Sequence, residues 1–288
     1  MAGFDLVEPR SLEEAFGFLE CDDPAVRPIA GGTALMLMMK AQLFRPTRLV
    51  SLRFIAPRFT GFEISACGAS MRVGAMTTFS ALEQSALVRE HLPVIAPVMK
   101  SLANPRVRNV ATIGGNIAHA DPHLDLPPVW MALGAAAVIL NPVGERIVPV
   151  EEIFAGYYET TLQHNDLIAE LSVPLRPTWR STYVKVTTRA IHDWPAIGIA
   201  ISADLDGPRV KDIRLVLSAA INKPTRLVAT EAVLSGAEID DATLRRAGEA
   251  AVAETDIAAD NRGSATYKKH LLRVHLARAL RELIGERR

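Results

Sequence analysis

The sequence predicts an α+β protein of two domains, and three observations carry the prediction. At 288 residues and 49% apolar content, the chain has material for about two domains of ordinary size. At Gly31-Gly32 a strand-like apolar run breaks at paired glycines and resumes as a helix-like run, and the glycine pair recurs at Gly114-Gly115. Beyond Pro174 to Pro177, three alternating strand patterns are followed by helical ones, the segregated order of an α+β domain.

Taken in order, Ser11 and Glu14 have capping-box spacing and start a short helix through Ala15, Phe16 and Leu19. Arg27 to Ala30 reads as a buried strand tip, Gly31-Gly32 as a tight turn, and ALMLMMKAQL as a helix whose Met36, Met38 and Met39 are mostly core. Arg48 to Leu52 is the next strand. FEISACGASMRVGAM then alternates as a two-stranded meander turning near Gly68 to Ser70. Thr78 caps a helix running through Ala81, Leu82 and Leu87, and a second helix covers Pro93 to Ala103. After the second glycine loop come a helix and strand between Val129 and Leu140, a turn at Asn141 to Gly144, and a strand at Asp166 to Val173 that Pro174 closes. Pro174 to Pro177 marks the domain boundary. Beyond it YVKVTTR, AIGIAISADL and VKDIRLVLSAA read as an antiparallel sheet, the last two joined by an Asp206-Gly207 turn. Helices follow at Thr230 to Leu234, Asp241 to Glu254 and Ser264 to about Gly285.

Charge and cysteine usage narrow the function. Lys+Arg and Asp+Glu both total 32, so no net field draws the chain to nucleic acid or an anionic membrane. Cys21 and Cys67 stand apart and form no CxxC pair, so an iron–sulfur cluster, which needs four thiolates, must come from another chain. MAGFDLVEPRSLEEAF lacks the basic start and apolar run of a secretory signal, and the chain is expected in the cytoplasm. The longest apolar stretch, Val129 to Leu140, falls well short of the ~20 residues that span a bilayer and reads as core.

PIAGGTAL sets two glycines and a threonine between a strand and a helix. Glycine lets a ligand approach the backbone, and a helix start offers unpaired N–H groups and the positive dipole end, so the loop suits a diphosphate. Thr33 adds its hydroxyl either to a phosphate or as helix cap. For a lone glycine pair a plain turn is the blander reading, but ATIGGNIAHADPHLDLP repeats the device, so one anion can be held from two sides. Thr112 and Asn116 bring hydrogen-bonding side chains, and Asp125 is an acceptor suited to a sugar or ribityl hydroxyl. Neither loop fits G-x-G-x-x-G or the P-loop pattern.

AGGTAL at 30 to 35, VRNVATIGGNIAHADP at 107 to 122, DLPP at 125 to 128, IFAGYYETTL at 153 to 162, DWP at 193 to 195, and the later KPTRLVATEAVLSG and SATYKKHLLRVHLARAL closely resemble the FAD-binding medium subunits of the xanthine dehydrogenase and aerobic carbon monoxide dehydrogenase family, the molybdenum hydroxylases. The resemblance covers nearly the whole chain. It implies a two-lobed FAD-binding domain of the vanillyl-alcohol-oxidase (PCMH) type over 1–175, with lobes at about 1–55 and 56–175. An α+β domain of the CO dehydrogenase flavoprotein C-terminal type, with an antiparallel sheet, follows over 176–288. By resemblance Ala30, Gly31, Gly32, Thr33 and Ala34 wrap the FAD diphosphate, with Leu35 continuing into the helix. Ala111, Thr112, Gly114, Gly115 and Asn116 form the second loop, and Asp125 lies near the ribityl chain. Lys185, at the start of K-x-x-x-R, falls near the flavin ring, and Leu102, Ala103 and Ile168 join the cofactor's surroundings. Leu102 stands where eukaryotic relatives carry an aromatic over the flavin.

The implied function is electron transfer. A large partner subunit with the molybdenum cofactor hydroxylates the substrate, a small one with [2Fe–2S] clusters relays electrons to FAD here, and the flavin passes them to NAD, a quinone or another soluble acceptor. The assembly implied is a dimer of heterotrimers. This chain holds and tunes the flavin and has no catalytic residue of its own for hydroxylation. The alternative is a self-sufficient FAD-dependent oxidase or reductase of the same fold, against which no clear acid–base pair is found. A degenerate, non-catalytic module is disfavoured by the intact glycines, Thr33, Thr112, Asn116 and Asp125.

Other constellations have a bland reading. His119, Asp121, His123 and Asp125 form H-x-D-x-H-x-D, yet the adjacent TIGGN makes this a flavin wall rather than a metal centre. Trp194 is either an aromatic against the flavin or a subunit, or core. For Tyr157 and Tyr158 strand-edge packing is favoured over a bond near the flavin.

Overall fold

A computed structural model describes residues 3–55 and 57–286. The chain opens with β1 (Asp5–Val7), α1 (Leu12–Leu19), β2 (Val26–Ile29), α2 (Thr33–Lys40) and β3 (Arg48–Ser51). Ser11 caps α1 by accepting from the Glu14 amide at 3.1 Å, while the Glu14 carboxylate reaches back to the Arg10 amide at 2.7 Å. The capping box therefore closes one residue earlier than its usual geometry. The three strands pair in parallel in the order β1-β3-β2, so the helices serve as the crossovers that parallel pairing demands. Of the three methionines on α2, Met39 is buried, whereas Met36 and Met38 are half-exposed. The expectation that most are core is corrected, because one face of α2 is open.

The second sheet holds β4 (Phe62–Ile64) and β5 (Ser70–Gly74) before a helical stretch, and β6 (Ala136–Asn141), β7 (Gly144–Pro149) and β10 (Leu167–Pro174) after it. Its order is β4-β5-β10-β6-β7, antiparallel throughout. The helices between are α3 (Phe79–Gln84), α4 (Ala86–His91), α5 (Ile95–Ser101), α6 (Pro105–Arg108), α7 (Ile113–His119) and α8 (Leu126–Leu133). One helix was expected from Thr78 through Leu87, but the chain breaks at Ser85. This residue turns extended and its hydroxyl caps a new helix by accepting from the Val88 amide at 3.2 Å. α9 (Val150–Ile153) leads into the small hairpin of β8 (Phe154–Gly156) and β9 (Glu159–Thr160).

The third sheet is antiparallel: β11 (Trp179–Val186), β12 (Ile197–Asp206), β13 (Arg209–Ser218) and β14 (Thr225–Arg226), in that order. Its first strand begins earlier than expected and ends at Val186, leaving Thr187 to Arg189 in a loop that the Ala196 amide closes onto the Val186 carbonyl at 2.8 Å. α10 (Val228–Leu234), α11 (Asp241–Ala253) and α12 (Ala265–Leu283) cover one face.

Every residue of α8 is buried, consistent with a helix apolar on all sides. It packs on β10 and also on β12 and β13, so a single helix joins the second sheet to the third. Among the described residues no helix is long and apolar enough to cross a membrane.

Glu231 of α10 is buried, accepting from the Leu215 amide at 2.7 Å and from Arg226 Nε at 2.8 Å. Removing it strands both donors, so Glu231→Ala should lower the unfolding free energy by about 3 kcal/mol, read as a drop in denaturant midpoint.

Candidate functional site

The first glycine loop leaves donors free. Gly32 is the N-cap of α2 at φ 68, the left-handed region that glycine enters without penalty, and no side chain caps the helix. The first intrahelical bond runs from the Met36 amide to the Gly32 carbonyl at 2.9 Å. The amides of Thr33, Ala34 and Leu35 consequently have no intrahelical acceptor, and residues 30–36 are only half-buried. Thr33 is the first helical residue and not the cap, which settles one of its two readings. Among the described residues its hydroxyl has no protein partner.

The second loop is the opposite case. Thr112 caps α7, taking the Gly115 amide on Oγ1 at 3.2 Å. The Ile113 amide donates to the Thr77 carbonyl at 3.1 Å and the Gly114 amide to the Ala75 carbonyl at 2.8 Å. All three first-turn amides are thus satisfied within the protein. What this loop keeps unpaired is Asn116 Oδ1, a buried acceptor without a partner. Such an atom is costly unless a donor meets it, and a hydroxyl of a bound molecule would do so.

The loops touch. A Cβ on Gly31 would stand 1.8 Å from the Val110 carbonyl oxygen and 3.0 Å from Ala111 Cα. The missing side chain therefore admits the second loop's backbone rather than a ligand. A Cβ on Gly115 would stand 2.9 Å from Thr112 Oγ1 and 3.8 Å from Ala30 Cβ, and one on Gly114 would press on Ala75 at 2.7 Å.

Asp125 and Lys185, sixty positions apart, meet as a buried ion pair: Lys185 Nζ lies 2.9 Å from Asp125 Oδ2, and both side chains are 7% exposed. Asp125 Oδ1 accepts the Tyr183 hydroxyl at 2.7 Å, and Lys185 Nζ also donates to the Ser101 carbonyl at 3.1 Å. Burial pushes the Asp125 carboxyl above its usual range, against the pull of Lys185 and of the Tyr183 hydroxyl. The chain continues from Ser101 through Leu102, which is buried, to Ala103 at φ 47. Arg108 Nη1 grips the Leu102 and Ala103 carbonyls at 3.0 and 2.9 Å, and Glu83 braces Nε at 3.1 Å. Ile168, at a bulge of β10, shares one apolar cluster with Leu102 and Ala111.

The H-x-D-x-H-x-D residues do not converge. His123 Nδ1 and its amide both go to Asp121 Oδ1, at 3.0 and 2.9 Å, while Asp125 faces Lys185. His119 packs edge-on against Tyr158 at 5.2 Å, and burial lowers its pKa. Trp194 is not core: 48% exposed, it stacks on His123 at 5.2 Å with Arg262 over its ring at 5.2 Å. Tyr157 and Tyr158 form the tip of the β8–β9 hairpin, with Tyr158 at φ 56. Burial, with the Asp121 charge beside it, pushes the Tyr158 phenol up.

Sequence reasoning missed Tyr183, the Ser101 carbonyl and Arg108. Tyr183 had one available signal, its i, i+2 relation to Lys185 on a strand. The other two carry none, since backbone carbonyls and their clamps depend on the path of the chain.

Residues 2–176 match the family model described as the FAD binding domain in molybdopterin dehydrogenase, and residues 182–283 match the CO dehydrogenase flavoprotein C-terminal domain. The carbon monoxide dehydrogenase medium chain of Afipia carboxidovorans is 33% identical, over 96% of this chain and 95% of that one. The glyceraldehyde dehydrogenase medium chain of Sulfolobus acidocaldarius is 28% identical, over 97% and 98%. A chain in the crystal structure of the cyanide-inactivated Cu,Mo-CO dehydrogenase superposes with a TM-score of 0.93 at 32% identity, with 99% of each chain covered.

Gly31→Val drives a side chain into the Val110 carbonyl, and Gly115→Val displaces the Thr112 cap. Each should abolish FAD uptake in a fluorescence titration. Thr33→Ala removes one hydroxyl, worth roughly 0.5–1.5 kcal/mol, and should weaken uptake about tenfold at most.

Proposed function

Because this chain belongs to the family of FAD-binding subunits of molybdopterin dehydrogenases, we propose that it is the electron-transfer component of a multi-subunit molybdenum hydroxylase, taking electrons from a small [2Fe–2S] subunit and passing them to NAD, a quinone or another acceptor. The observation that carries the proposal is the uncapped first turn of α2, three free amides at a positive helix end, packed against a second loop with a single unpaired acceptor. That donor set fits an anion flanked by a hydroxyl-bearing chain, as in FAD.

In this reading Ala30 to Leu35 hold the diphosphate with their backbone, and Thr33 adds its hydroxyl. Thr112, Gly114 and Gly115 build the opposite wall, from which Asn116 Oδ1 accepts a hydroxyl. Asp125 and Lys185 place a compensated charge pair near the ribityl chain and ring. Leu102, Ala103, Ala111 and Ile168 exclude water from the apolar side. The bound flavin supplies the exchange between single-electron and two-electron carriers. Residues 1–175, in lobes of about 1–55 and 56–175, form the cofactor-holding domain, and 176–288 the second domain that contributes Lys185.

Cys21 and Cys67 are the chain's whole cysteine content, and both are exposed, so the thiolates of any cluster belong to a partner. Substrate chemistry belongs to the large molybdenum subunit. A dimer of heterotrimers is the assembly we propose.

Two measurements test the reading. The purified chain should carry FAD that acid or heat releases into the supernatant, since nothing in the site points to a covalent link. A folded, colourless chain that FAD cannot titrate would remove the basis of the proposal. In stopped flow, substrate should reduce the flavin only in the assembled complex. Reduction of the isolated, metal-free chain at the rate of the complex would favour a self-sufficient flavin oxidase.

A further inference from the structure

Tyr183 and Lys185 stand two residues apart on β11, so both side chains leave the same face of the third sheet and both end on Asp125. Behind the phenol, position 198 has to be glycine: a Cβ there would lie 2.4 Å from Ser218 Oγ and 2.8 Å from Tyr183 Oη. The fully buried Ser218 hydroxyl donates to the Gly198 carbonyl at 3.5 Å, beside the phenol. Asp125 is thus held at both oxygens, Tyr183 donating to Oδ1 and Lys185 to Oδ2, with Lys185 also donating to the Ser101 carbonyl. An ammonium has three donors, and two are engaged within the protein.

We propose that Tyr183 is a positioning residue for the flavin. By donating to Oδ1 it keeps Asp125 ionised and turned so that Oδ2 fixes the Lys185 ammonium against the Ser101 carbonyl, its third N–H left for an acceptor of the cofactor. This rests on the reading of the glycine loops and the Asp125–Lys185 pair as a flavin site. Tyr183 acts through Asp125: a buried carboxylate with one donor fewer takes up a proton more readily. The titratable groups bearing on Asp125 are Lys185 and Tyr183 of β11 and Asp121 of its own segment. Of these, only Tyr183 can be altered without changing the number of charges.

The test variant is Tyr183→Phe. In the full-length chain without added flavin, the folded-state pKa of Asp125 rises further above its unfolded value. The resulting destabilisation is complete at pH above that folded pKa and fades as acid neutralises the carboxylate. The gap in unfolding midpoint between parent and Y183F should therefore narrow as pH falls through the raised folded-state pKa, and should stay constant when both chains also carry Asp125→Asn. In the flavin-loaded protein, protonated Asp125 leaves Lys185 uncompensated. The midpoint potential of Y183F should then exceed the parent's by a margin that grows as pH falls, again erased by D125N.

A stability gap that does not change with pH overturns the coupling of Tyr183 to Asp125. A narrowing gap with unshifted potentials overturns the positioning of the flavin. A chain that takes up no FAD while the gap still narrows sinks the proposed function and the flavin half of this proposal, and leaves the coupling standing.

Discussion

The contact between the Gly31 backbone and the Val110 carbonyl sets the rest of the arrangement. These segments belong to different sheets' surroundings, a parallel three-stranded sheet on one side and an antiparallel five-stranded one on the other. They approach so closely that even a methyl group at position 31 would overlap the facing carbonyl. Once they are in contact, the loop before α2 lies against the loop before α7, with Ala30 next to Gly115. Gly31 thus acts through packing, while its neighbour Gly32, at φ 68, acts through backbone conformation. Two adjacent glycines have two different physical reasons.

The two loops look alike in sequence and differ in electrostatics. A helix start attracts an anion only with the donors it has not already given away. α7 gives its first-turn amides to Thr77, Ala75 and Thr112, whereas α2 gives none. The repeated glycine pair therefore yields one donor-rich wall and one acceptor-bearing wall, a better match to a cofactor with both phosphates and hydroxyls than two identical walls would be.

The glycine loops, their helices and most strands were legible in the sequence, because strand alternation and helix caps are local signals that the packing here reinforces. Asp125 and Lys185 were each singled out through family motifs, but their direct ion pair was not legible. It depends on β11 lying against the segment that precedes α8, a contact between residues sixty positions apart. The break at Ser85 was hidden for a different reason: the apolar spacing through Leu87 continues across it, and only the Ser85 cap shows that two helices share one pattern. Trp194 was ambiguous because a tryptophan beside a proline suits core and surface equally. Its place was decided by His123 and Arg262, both distant in sequence.

The position of Lys185 on β11 has a consequence for maturation. A nascent chain that has reached Pro174 already contains both glycine loops and Asp125, but neither Tyr183 nor Lys185. At that stage the Asp125 carboxylate has no counter-charge, and the Ser101 carbonyl has no ammonium to hold it. The ion pair forms only when β11 docks, and the Ala219 amide then ties the third sheet to the Pro122 carbonyl at 2.9 Å. Any ligand that depends on that ammonium can be held only after translation has passed β11.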